Sequence, residues 1–236
     1  MLTEYSKFRT LSDNIKLGSL TAFSAGMANV ASLMIFFAFT SNVTGHYAIL
    51  AEEIAKGNWY QAGVVFGWIF LFFFGNFVSN VIIINTKKPF LAHVTPLSIE
   101  IFCLFLVGSY GQFFYKETLT ETEILVALML FAMGLQNGLT ASVSNFLVKT
   151  THLTGLTTDL GIIFSMFTKQ KFRRDKSLRD RAKLLLSIVT AYLCGGILAG
   201  VLYLNIQFIV FYIVCVVLGG IILYDYFKLK SKDEPC

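Results

Sequence analysis

Two short stretches combine residue types that can hold a small polar molecule. Asn42-Val43-Thr44-Gly45-His46 follows a long apolar run, and His152-Leu153-Thr154-Gly155-Leu156 follows another, 110 residues later. Glycine lets the backbone turn and lets a ligand approach. Threonine at a helix start can cap it, and the free N–H groups beyond favour anionic or polar groups. Each stretch is preceded, inside its apolar run, by Gly-x-x-Asn: Gly26 to Asn29 and Gly134-Leu135-Gln136-Asn137. Asn29 precedes Thr44 by 15 residues and Asn137 precedes Thr154 by 17. The matched pairs predict an internal duplication. They make Asn29, Asn42, Thr44, Gly45, Gln136, Asn137, Thr154 and Gly155 candidate substrate ligands. The plainer alternatives are two surface helix caps, and amides that tie one helix to another. Asp159 joins the candidates after the second element; otherwise it sits in a first helical turn, where its charge suits the dipole.

Glu100 could do a different chemistry. It lies about ten residues into an apolar segment, which at about 1.5 Å per residue is near mid-membrane. A carboxylate there costs roughly 2.5–3.5 kcal/mol on insertion scales, so such residues mark proton or substrate pathways by default. Neutralisation or water contact is its expected state, with desolvation raising its pKa. His93 shares its helical face, seven residues earlier, and Pro96 between them frees a backbone carbonyl. The alternative is a protonated structural Glu that locks its helix to a neighbour. Glu100 is the candidate proton-coupling residue.

The elements that must position these residues are membrane spans. Of the 236 residues 56% are hydrophobic and 14% charged, where a soluble domain is nearer a quarter charged. Apolar runs of about 20 residues recur, the length of a spanning helix. The net charge of +5 sits mostly between these runs, so it reads as orientation in a membrane and not as nucleic-acid binding. The four cysteines and three histidines show no disulfide or metal-ligand spacing, and neither a metal nor a cofactor is expected. His46 and His152 read as solvated interface residues. Gly63-x-x-x-Gly67 and Gly196-x-x-x-Gly200 read as packing seams, within the chain or between protomers.

Six spans follow, near 19–40, 61–84, 90–111, 124–148, 184–204 and 208–227. A lead-in covers 1–18, an acidic loop 112–123, a basic loop 169–183 with eight Lys or Arg, and a tail 228–236. Placing the basic segments in the cytoplasm puts both termini inside and the 112–123 loop outside. The halves 19–111 and 124–227 then hold three spans each and enter the membrane inverted. The expected fold is all-α, with six transmembrane helices in two inverted three-helix repeats and a short broken or re-entrant helix after each Thr-Gly element. That architecture is common among secondary transporters.

With Ala25-Gly26-x-x-Asn29, Asn42-x-Thr44-Gly45, Gly134-Leu135-Gln136-Asn137 and Thr154-Gly155, the chain resembles the YoaK family of bacterial membrane proteins over nearly its whole length. The resemblance implies a bacterial cytoplasmic-membrane location and a fold class; the family's function is unknown. It departs from this chain at Asn29, often Asp in the family, and at His46, often Asn. The expected function is a small secondary transporter or channel for a polar or anionic small solute. Lipid and solute are the partners, no nucleic acid is expected, and a homodimer is compatible. The other readings are a membrane scaffold without transport and, more weakly, an intramembrane enzyme. Ser109 and His93, the nearest approach to a nucleophile and base, lie about 24 Å apart along one helix.

Overall fold

The computed structural model describes residues 11–143 and 152–233. Residues 1–10 of the lead-in, the end of the fourth predicted span beyond 143 and the last three residues of the tail lie outside them. Among the described residues there are nine helices and no strand. They are α1 (Leu11–Phe36), α2 (Val43–Ala55), α3 (Trp59–Asn85), α4 (Pro89–Phe113), α5 (Leu119–Val143), α6 (Leu153–Met166), α7 (Gln170–Arg173), α8 (Lys176–Ile206) and α9 (Ile209–Asp233). Six are long and apolar enough to cross a membrane: α1, α3, α4, α5, α8 and α9. Helices satisfy their own backbone groups, which is why apolar runs of this length span as helices. The chain is a multi-pass membrane protein by this criterion.

Several boundaries differ from expectation. The first span begins at Leu11, within the predicted polar lead-in, and stops at Phe36. Phe37 then turns the chain at φ 55°. The basic loop is largely helical: Asp175 caps α8 by accepting from the N–H groups of Ser177 (2.8 Å) and Leu178 (3.4 Å), so 176–183 become the first turns of the fifth span. The expected break at Asn205 falls at Gln207, where φ is 42°.

Packing is organised in cross-pairs. α1 lies along α8, α3 along α5, and α4 against α9. The first two crossings use glycine in the same register. A side chain on Gly26 would collide with the Tyr192 carbonyl, and one on Gly195 with the Phe23 carbonyl. Likewise Gly134 abuts the Phe72 carbonyl, and Gly75 the Phe131 carbonyl. Each crossing thus pairs a residue three before a glycine on one helix with a glycine three after its contact on the other. Backbone-to-backbone approach of this kind is how small residues hold membrane helices together. Gly196 meets Val30, but Gly63 and Gly67 have open space around them. The 63–67 stretch thus forms no seam within the described chain; it faces outward beside exposed Phe66, Phe70 and Phe73, where the expected seam would be one between protomers.

Candidate functional site

The break after α1 is built by side chains from α1 itself. Ser32 donates to the Ala38 carbonyl (2.9 Å). Asn29 Oδ1 accepts from the backbone N–H of Thr40 (2.9 Å) and Ser41 (3.2 Å), while Asn29 Nδ2 donates to the Tyr192 hydroxyl of α8 (2.8 Å). Tyr192 also bonds Ser41. One buried amide therefore folds the 37–42 segment back onto α1 and ties it to the neighbouring helix.

The segment ends at Asn42, the N-cap of α2. Its Oδ1 accepts from the Gly45 N–H at 3.2 Å. His152 holds the corresponding place before α6, without a side-chain cap bond. The caps are thus Asn42 and His152, and not the threonines; Thr44 and Thr154 are the second residues of their helices. A cap must stand one residue before the first helical position, with its acceptor over the third N–H. The glycines have a matching purpose. An added Cβ on Gly45 would come within 2.9 Å of the Asn42 amide, and one on Gly155 would collide with the His152 ring. Neither has a left-handed φ. They make room for the cap residue to lie across the helix start, which differs from the turn or ligand approach expected of them.

Both helix starts open into one cavity of about 640 Å³. The first half contributes Asn29, Ser41, Asn42 and Thr44, with Phe72, Asn76 and Asn80 from α3; the second contributes Asn137, His152, Thr154 and Tyr192. That volume suits a small molecule. None of the described lining residues is Asp, Glu, Lys or Arg. Its polarity comes from amides, hydroxyls, one imidazole and two helix N-termini, whose dipoles present partial positive charge. At α6 the His152 side chain makes no cap bond to the first-turn N–H groups. Asn76 and Asn80 each donate back to a carbonyl four residues earlier (2.9 Å), and Asn80 Oδ1 accepts from Ser142.

Five of the sequence-derived candidates line this cavity: Asn29, Asn42, Thr44, Asn137 and Thr154. Gly45 and Gly155 sit one position behind it, supporting the caps. Gln136 points elsewhere: it is fully buried and donates to Ser24 of α1 at 2.7 Å. Asp159 also lies off the cavity, in an exposed ion pair with Arg181 (2.8 Å). His46, expected to be solvated, is 3% exposed, bonded to the Phe39 carbonyl (2.8 Å) and set edge-on to Trp68. Burial holds its pKa below the ordinary value, against the smaller opposing effect of that carbonyl. Tyr192, Ser41, Phe72 and the cavity role of His152 were not expected. A tyrosine 163 residues from its partner Asn29 gives no sequence signal.

Glu100 is 0% exposed, does not line the cavity, and has no hydrogen-bond partner for either carboxyl oxygen among the described residues. It lies apart from the cavity and is closed off from the surface. Ser109 and His93 bond Tyr212 (3.0 Å) and Asp225 (3.4 Å) respectively.

Residues 17–224 match the model of a family described as "Protein of unknown function (DUF1275)". No curated protein and no solved structure matches the chain.

Proposed function

We propose that this chain, which belongs to the DUF1275 family, is a small secondary transporter or channel for a polar or anionic small solute. The observation that carries the reading is the single cavity lined by Asn42 and Thr44 from one helix start and His152 and Thr154 from the other. Two short helices whose N-termini meet at one polar cavity are the arrangement by which broken-helix transporters hold polar groups of a substrate. A scaffold without transport would have no use for a polar cavity at that place.

The inverted repeat belongs to the same proposal. Exchanging spans one, two and three for four, five and six turns the α1–α8 pairing into α5–α3, and the α4–α9 pairing into itself. The same exchange turns the Gly26–Tyr192 crossing into Gly134–Phe72. Asn29 then corresponds to Asn137, and Tyr192 to Phe72, and all four line the cavity. The YoaK likeness, the bacterial cytoplasmic membrane and cytoplasmic termini complete the reading. Glu100 is its proton-coupling residue; because it stands apart from the cavity, coupling would act through movement of α4 and not through contact with solute.

Accessibility tests this without knowing the solute. In a background with Cys103, Cys194, Cys215 and Cys236 replaced, Thr44→Cys should react with an impermeant thiol reagent from outside. Thr154→Cys should react from the cytoplasmic side. The doubly substituted protein should be bridged by a bifunctional reagent. Two sites that react from one face only, or not at all, overturn the reading.

A further inference from the structure

We propose that the His93–Asp225 pair is the proton inlet of Glu100, which makes the α4–α9 seam a proton site separate from the solute cavity. This rests on the reading of Glu100 as a proton-exchanging group and on no solute.

His93 Nδ1 lies 3.4 Å from Asp225 Oδ2, and both residues are buried. They join the first turns of α4 to the last part of the apolar stretch of α9. The basic-loop orientation places that end of the bundle in the cytoplasm. Ionisable side chains inside spans are costly, pair with one another and mark proton relays. Glu100 stands seven residues beyond His93 on the same face of α4, roughly 10 Å deeper. Its carboxyl has no hydrogen-bond partner among the described residues.

The groups around it are few. On α4 the titratable neighbours are His93 and Cys103, and on α9 they are Cys215 and Asp225. α3 and α5 carry ionisable side chains only near their starts, at Tyr60, Glu121 and Glu123, and α1 only at Asp13 and Lys16. No described cation is deep enough to hold a charge on Glu100. The ionisable groups nearest to it along the bundle lie in the α4–α9 seam.

The gap is longer than one hydrogen bond, and Pro96 lies within it. Proline has no N–H, so the Ala92 carbonyl is left out of the helix ladder. A helix carbonyl points toward the C-terminal end, which sets this acceptor at a height between His93 and Glu100. A water resting on it can pass a proton inward. The His93 N–H bond breaks as the water gains that proton, the water gives up another of its O–H protons to the Glu100 carboxylate, and His93, held by Asp225, takes a proton back from the cytoplasmic side.

The test uses the full chain reconstituted in lipid and infrared spectroscopy during exchange from water to deuterated water. A protonated-carboxyl band that Glu100→Gln removes reports Glu100. Its exchange should slow by roughly tenfold or more in Asp225→Asn, less than the roughly hundredfold or more that a positioned proton donor itself contributes. Asp225→Glu should restore it, and His93→Gln should slow it as well. A merely structural tie between α4 and α9 would leave the band's exchange rate unmoved, and equal rates in all these proteins overturn the proposal. If Asp225→Asn does not fold, His93→Gln carries the same comparison. A Glu100 band that never exchanges in the parent protein defeats the reading of Glu100 itself, which is a different result from exchange that ignores Asp225.

Discussion

Asn29 donates to the Tyr192 hydroxyl at 2.8 Å across the α1–α8 crossing, and with its other amide atom it accepts the N–H groups of Thr40 and Ser41. The amide thus has both a donor and an acceptor task, and both are buried. Asn29→Ala strands two backbone donors and a phenol, and should lower stability by about 1–3 kcal/mol. Asn29→Asp keeps the acceptor, and Tyr192 can turn its own O–H toward the carboxylate. That variant should lose less. Thermal unfolding of the two purified variants in one detergent gives the order, and an Asp variant as unstable as the Ala variant contradicts it.

His46 gives a pH dependence with a definite sign. Its folded pKa is lowered by burial from an ordinary value of 6.5, so the unfolded chain binds the proton more readily. Stability is then fully present above the unfolded pKa and is lost as pH falls through it toward the folded one. The melting temperature should fall between about pH 7 and about pH 5, the range in which histidine titrates. His46→Phe keeps the ring against Trp68 but cannot titrate. Its melting curve should be flatter over the same range than the parent's. Equal slopes in the two proteins would assign the effect to other groups.

The six spans were legible because length and composition alone fix them. Each of the two Thr-Gly elements follows a Gly-x-x-Asn run, and their threonines line one cavity. Their internal chemistry was not: the cap lies two residues before Thr44, and only the fold shows that Gly45 clears space for Asn42. His46 looked solvated beside polar neighbours, but Phe39 and Trp68 cover it. Gly63 and Gly67 carry the same spacing as a seam, and spacing does not say which face of α3 meets a partner. Asp225 escaped notice at the end of an apolar run because its partner His93 is 132 residues away. The cap and the Phe39 contact are local and depend on where the helix starts, whereas the His93–Asp225 contact is distant in sequence.

Asp159 offers a negative prediction. Its ion pair with Arg181 is 2.8 Å long, but the two side chains are 39% and 57% exposed. Exposed pairs of this kind contribute about 0.2–1 kcal/mol and are screened by salt. Asp159→Asn should therefore shift the melting temperature slightly, less at high ionic strength. It should leave the labelling of Thr154→Cys unchanged, because Asp159 does not line the cavity. A change in that labelling would tie Asp159 to the cavity.

The glycine crossings make the sharpest packing prediction. Gly26 and Gly134 each face a carbonyl of the opposing helix at a distance that admits no side chain, from Tyr192 and Phe72 respectively. Backbone cannot step aside as a flexible side chain can, so Gly26→Ala and Gly134→Ala must push α1 from α8 and α3 from α5. Overpacking of this kind costs about 1–3 kcal/mol, occasionally more. Gly63→Ala is the control, because nothing lies within 4 Å of the added carbon. Alanine is also the better helix former by up to about 1 kcal/mol, so that variant should be neutral or slightly stabilised. The displacement has a second consequence. Tyr192 and Phe72 both line the cavity, so moving either helix should alter the reaction rate of Thr44→Cys or Thr154→Cys, whereas Gly63→Ala should leave both rates as they were. Equal unfolding temperatures for the three alanine variants would show that the crossings do not hold these helix pairs together.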